Sequence, residues 1–179
     1  MSAAATLGFA ELTRVIRSMP DYASYAATDG AAAEERAWRL ALGCLLKECG
    51  DQLLRVVERH PQLITDEQHD TIDTLIERIG GIFRRLNRGG EICLPPDDRG
   101  AISELEEIDL RMLALLEEAR ALTRALSRDA RSSRWFTREA ARLSRGLAAL
   151  GEATQARNLL LGLDWDAEGA GMDREGRLP

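Results

Sequence analysis

Aromatic residues and histidine are scarce in this chain of 179 residues. Aromatic side chains make up 4% of it, so a hydrophobic core must be built mainly from Leu, Ile, Val and Ala. The two histidines are His60 and His69, and the residues three positions before them are Val57 and Asp66. The paired Glu-x-x-His motifs of a di-iron bundle are therefore missing. From this scarcity we predict neither a metal site nor a cofactor.

Cysteine is also rare, and its spacing does not match that of a metal or redox site. Cys44, Cys49 and Cys93 are an odd number, and the first two would lie roughly 140° apart around one predicted helix. We expect all three to be small buried hydrophobic residues in a reducing compartment. No apolar run approaches the roughly 20 residues of a membrane span, and Glu11 and Arg14 come too early for a signal peptide. These absences predict a cytoplasmic protein without a transmembrane segment.

Motifs of nucleophilic and nucleotide chemistry are missing as well. The sequence contains no Gly-x-Ser-x-Gly, no Walker loop and no dinucleotide-binding fingerprint. Ile72 and Asp73 stand after His69 where a phosphotransfer helix carries Lys and Gly. The net charge of −6 argues against a nucleic-acid binder. We therefore expect no enzymatic activity.

The pattern that the chain does contain is helical periodicity. Apolar residues recur every three to four positions from about Ala32 to Leu161, and no segment alternates like a strand for more than a few residues. We predict an all-α fold with helices over residues 3–19, 32–59, 65–86 and 103–126, and a last helix that follows the polar stretch 127–133 and ends near residue 161. Capping boxes are predicted where Thr65 precedes Gln68 and where Ser103 precedes Glu106.

The connections between these helices predict their arrangement. Short links between the second and third helices, and between the fourth and fifth, favour antiparallel neighbours. We predict one domain, residues 1–161, that forms an antiparallel (up-down) four-helix bundle with an additional N-terminal helix. That helix packs across the bundle or forms the interface of a homodimer. Residues 162–179 contain four glycines and alternating acids, which predicts a flexible acidic tail.

Arginine accounts for every basic residue except Lys47, and part of it forms a stripe. Its members recur at helical spacing and are Arg120, Arg124, Arg128, Arg131, Arg134, Arg138, Arg142 and Arg145. If the last two helices were nearly continuous, these residues would form one ridge opposite the apolar face. The seven-residue spacing of Arg124, Arg131, Arg138 and Arg145 puts those four on one side of a helix. The stripe is either a docking surface for an acidic partner or a solvated face that pairs with acids such as Glu118.

A second candidate contact is Trp165, which is flanked by Asp164 and Asp166. It is either an aromatic anchor for a partner or a residue that folds back over the end of the bundle. We expect a non-enzymatic interaction or regulatory protein that forms a homodimer. It would bind an acidic protein through Arg124, Arg131, Arg138 and Arg145, and through Trp165. The alternatives are a bundle that binds a small ligand in an apolar cavity, and a binder of anionic surfaces or nucleic acid that uses the arginine stripe.

Overall fold

The computed structural model describes residues 19–22, 25, 28–59, 64–87, 92, 99–128 and 132–163. These residues contain no strand and four long helices: α1 (Thr28–Arg59), α2 (Asp66–Leu86), α3 (Arg99–Arg128) and α4 (Ser133–Leu160). The predicted all-α fold is therefore confirmed. The predicted helix over residues 3–19 lies outside the described residues except for Met19, as does the tail beyond Leu163.

The start of α2 follows from its sequence. The backbone N–H of Gln68 donates to Thr65 Oγ1 (3.3 Å), and the backbone N–H of Thr65 donates to Gln68 Oε1 (3.0 Å). This reciprocal pair is the predicted capping box. Asp66 and Glu67 in the first turn also complement the positive end of the helix dipole.

The predicted start of α3 at Ser103 is wrong, because the helix begins at Arg99. Ala101 is buried in the turn before Ser103, and Leu105 is buried in the turn that follows. Burial of Ala101 stabilises an extra turn that the local capping pattern does not predict. Ser103 is consequently an exposed residue inside the helix and not its cap.

The core is a continuous cluster of buried apolar side chains from all four helices. The most deeply buried members include Trp38, Leu42, Leu53, Ile72, Leu75, Met112, Leu116, Leu143 and Leu147. In the main contacts between helices, α1 packs on α2 and α3, and α4 packs on the same two helices. Within the described residues, no helix combines the length and the apolar composition needed to cross a membrane.

Cysteine burial matches the expectation at one of two described positions. Cys49 is buried in the core, but Cys44 is exposed, so the expectation is wrong for Cys44. The reason is its place on α1, because Cys44 is three residues before Lys47 and four after Leu40, both of which are exposed. Cys93 lies outside the described residues.

A second, smaller cluster lies where α1 begins and α4 ends, and it comprises Tyr25, Ala31, Leu105, Leu161 and Leu163. Gly162 has a φ of 72°, which suits glycine, and it reverses the chain after α4. The N–H of Leu163 then donates to the carbonyl of Asn158 (2.9 Å). The first residues of the predicted tail thus pack on the bundle.

Candidate functional site

The arginines of the predicted stripe divide between two environments. Arg120 is only 5% exposed, and its Nη2 lies 2.7 Å from Glu48 Oε2 on α1. Arg124 Nη2 lies 2.7 Å from the other oxygen of the same carboxylate. Burial raises the pKa of Glu48, but the hydrogen bonds from Arg124 and Arg120 outweigh it and lower the pKa overall. These two arginines therefore join α3 to α1, and the stripe is not one continuous ridge.

The N-terminal half of α4 carries four exposed arginines, Arg134, Arg138, Arg142 and Arg145, and Arg128 at the end of α3 is exposed as well. Arg138 pairs with its neighbour Glu139 (2.8 Å), and Arg142 pairs with Glu118 of α3 (2.8 Å). Within the described residues, Arg134 and Arg145 form no ion pair. Exposed ion pairs contribute about 0–1 kcal/mol, so these guanidinium groups are available to a partner.

The predicted binding residues are thus only partly brought together. Arg138 and Arg145 share the exposed face of α4, whereas Arg124 lies against α1. Arg131 and Trp165 lie outside the described residues.

A buried ionic network that the stripe did not predict lies near the start of α1. Its centre is Arg157 of α4, whose side chain is 1% exposed. Arg157 Nε donates to Asp109 Oδ1 (2.6 Å) and Nη2 donates to Asp109 Oδ2 (3.2 Å), while Nη1 donates to Glu35 Oε1. The side chain of Asp109 is 0% exposed and that of Glu35 is 6% exposed. One guanidinium therefore connects α1, α3 and α4.

Three aromatic side chains donate to the same carboxylates. Tyr22 donates to Asp109 Oδ2 (3.0 Å), Trp38 Nε1 donates to Asp109 Oδ1 (3.1 Å), and Tyr25 donates to Glu35 Oε2 (2.8 Å). Burial, and then the adjacent carboxylates, raise the pKa values of both tyrosines above their usual range. These hydroxyls consequently act as neutral donors, and they hold Tyr22 and Tyr25 against the helices.

A second guanidinium completes the network. Arg39 donates to Glu35, to the carbonyl of Leu86 (2.9 Å) and to Asn158 Oδ1 (3.2 Å). Asn158 Nδ2 in turn donates to the carbonyl of Arg85 (3.0 Å), near the end of α2. The network therefore contacts all four helices.

The charges in this network are balanced. Glu35 and Asp109 face two guanidinium groups, and within the described residues every buried polar side-chain atom has a hydrogen-bond partner. Burial raises the pKa of Glu35, but Arg157 and then Arg39 outweigh it, so that its pKa is lowered. Both carboxylates of this network are therefore held by guanidinium groups and by neutral donors from the aromatic side chains. The described residues also contain no group of three His, Cys, Asp or Glu side chains that could hold a metal ion.

A signal for this network is present in the sequence. Asp109 follows Leu105 by four residues and precedes Met112 by three, which puts a carboxylate on the apolar face of its helix. A charge in such a position requires a buried partner. The partner, Arg157, lies 48 residues further along the chain and could not be identified from local periodicity.

No protein-family model, no curated protein and no solved structure matches the chain.

Proposed function

We propose that this chain is a non-enzymatic interaction protein that binds an acidic protein surface through the N-terminal half of α4. The observation that carries this proposal is the set of exposed arginines on that half-helix. Two of them, Arg134 and Arg145, form no ion pair within the described residues. Arginine suits this role because its planar guanidinium binds a carboxylate through two parallel hydrogen bonds.

The proposal includes an up-down bundle, in which consecutive helices are antiparallel. Support comes from the order of the contacts between consecutive helices. As the residue numbers rise along one helix, the numbers of the residues that they contact fall along the next. The contacts are Arg39 with Leu86 and Gly43 with Phe83 between α1 and α2, and Asp109 with Arg157 and Glu118 with Arg142 between α3 and α4. For α1 and α3 the order is the same in both helices, since Trp38 contacts Asp109 and Glu48 contacts Arg120. In this arrangement α2 and α4 run in the same direction.

A photo-crosslinking amino acid at Ala141 tests the binding face. Ala141 is exposed and lies between Arg138 and Arg145 on α4. We expect cross-links from this position to acidic protein segments in cell lysate, and fewer of them at high salt. The same amino acid at the exposed Ala37 of α1 is the positional control.

Charge reversal provides the second arm of this experiment. Arg138→Glu with Arg145→Glu should abolish the cross-links, whereas Arg59→Glu with Arg111→Glu makes the same change in net charge elsewhere and should preserve them. Equal cross-linking by the two double variants would show that the arginine face of α4 does not bind the partner.

A further inference from the structure

Two exposed columns of charge, one on α2 and one on α4, have the same spacing. The α2 column is Asp66, Asp70, Asp73, Glu77 and Arg84, and the α4 column is Arg134, Arg138, Ala141, Arg145 and Glu152. Each member of the α4 column follows its counterpart in the α2 column by 68 positions. In four of the five pairs of counterparts, the two residues have opposite charges. The sign of the charge also changes between the fourth and fifth members of each column, from Glu77 to Arg84 and from Arg145 to Glu152.

These columns are not neutralised inside the chain. All ten residues are exposed. Arg138, which binds Glu139 of its own helix, is the one member that forms an ion pair with a described residue. The spacings of four, three, four and seven residues keep each column on one face of its helix.

Residues that are 68 positions apart also lie at nearly the same height along the bundle. A Cβ atom on Gly151 would lie 3.7 Å from Cγ1 of Ile82, and these two residues are 69 positions apart. One position corresponds to a rise of about 1.5 Å in a helix. Because α2 and α4 run in the same direction in the proposed bundle, this match in height extends to the other end of the columns.

We propose that the acidic partner of the α4 face is the α2 column of a second copy of this chain. This inference rests on the proposed function and names its partner. A twofold axis parallel to the helices preserves height and direction, and it exchanges the two neighbouring helices across the interface. The dimer then pairs Asp66 with Arg134, Asp70 with Arg138, Glu77 with Arg145 and Arg84 with Glu152, and it makes each pair twice.

The surface beside the columns permits close approach of the two copies. Thr74 of α2 and Ala148 of α4 lie beside the columns, Ala141 lies within the α4 column, and all three are exposed and small. Long apolar side chains are absent from the two columns themselves, so charge sets the register and the specificity of this interface. The association should therefore depend strongly on salt. We expect the dissociation constant to rise by about tenfold or more between ~50 mM and ~500 mM NaCl.

Sedimentation velocity on two charge-reversed variants tests this dimer. Arg138→Glu with Arg145→Glu places acids opposite acids, and Asp70→Arg with Glu77→Arg places arginines opposite arginines. We expect each variant alone to be folded by circular dichroism and monomeric. An equimolar mixture should form a heterodimer, because the α2 and α4 columns of the two variants are complementary in both directions.

Attraction between oppositely charged molecules does not explain the heterodimer, because both variants have a negative net charge. The native charge of −6 becomes −10 in the first variant and −2 in the second. The matched control is Glu104→Arg with Glu107→Arg on the exposed face of α3, which also has a net charge of −2. This control should dimerise with itself and should not rescue the arginine-reversed variant. A mixture of the two column variants that stays monomeric would overturn the proposed dimer.

The two proposals fail in different ways. A monomeric native protein whose Ala141 position still cross-links to another acidic protein would overturn the dimer and leave the binding face in place. If the protein with native columns neither self-associates nor cross-links from Ala141, the binding face is overturned as well. In the dimer, a cross-linker at Ala141 should react with the α2 segment of the second copy, which mass spectrometry of the linked peptides identifies.

Discussion

Arg157→Met is the substitution that should reveal the energetic importance of the buried network. It removes a guanidinium that is 1% exposed and keeps a side chain of similar length. Glu35 and Asp109 are then left with Arg39 as the one cation in the network. Breaking a buried ion pair by removing one partner costs about 3–5 kcal/mol. Since domains are stable by about 5–15 kcal/mol, the variant should lose between about one fifth and all of its free energy of unfolding.

Urea denaturation followed by circular dichroism measures this loss. The matched control is Arg142→Met on the same helix, because Arg142 binds Glu118 with side chains that are 56% and 43% exposed. An exposed pair contributes about 0–1 kcal/mol, so the control should retain almost the whole free energy of unfolding. Equal losses in the two variants would refute the reasoning that burial makes the Arg157 pair costly to break.

A double variant separates charge balance from loss of packing. Adding Asp109→Asn to Arg157→Met removes one carboxylate. The network then contains one carboxylate, Glu35, and one guanidinium, Arg39, so its charges are balanced. The amide oxygen at position 109 can still accept a hydrogen bond from Trp38 or Tyr22. We expect the double variant to be more stable than Arg157→Met alone, with a coupling free energy of about 1–3 kcal/mol in the cycle. Additive losses would show that Asp109 and Arg157 do not act as a pair.

Two further predictions follow from acid titration and from the helical glycines. The folded-state pKa values of Glu35 and Glu48 are lowered. The two carboxylates therefore contribute to stability above the unfolded pKa of about 4.3, and this contribution is lost as the pH falls through their folded pKa values. The urea midpoint should decrease below about pH 4.5, and an increase there would contradict this sign. Gly50→Ala and Gly146→Ala should each stabilise the protein by about 0.4–1 kcal/mol in thermal melts, because no atom lies within 4 Å of the added Cβ. Gly43→Ala should increase the free energy of unfolding by less, because its Cβ would lie 3.1 Å from the ring of Phe83. An equal increase at Gly43 would show that the ring moves freely.

Local sequence signals predicted much of the fold. The capping box at Thr65 and the end of α1 at Arg59 are both where the pattern puts them. The start of α3 was missed because burial of Ala101, a tertiary contact, extends the helix beyond its local cap signal. Similarly, Arg120 has helical spacing typical of an exposed stripe, but Glu48 of α1 binds it in the interior. Periodicity identifies which face of a helix is apolar, and it does not identify a partner that is about 70 residues away in the chain.

The buried network and the charged columns are connected through the register of α4. Arg157 binds α1 and α3, and the next residue, Asn158, donates to the carbonyl of Arg85 near the end of α2. These bonds fix the height of α4 relative to α2, which is the quantity that aligns the two columns. A shift of half a helical turn, about 2.7 Å, would place the arginines between their counterparts in the second copy of the proposed dimer instead of opposite them. If the double variant Asp109→Asn with Arg157→Met is folded but its α4 can slide along α2, it should dimerise less tightly than Arg142→Met. Neither variant alters a residue of the columns. Equal sedimentation of the two variants would show that the core contacts alone set the register.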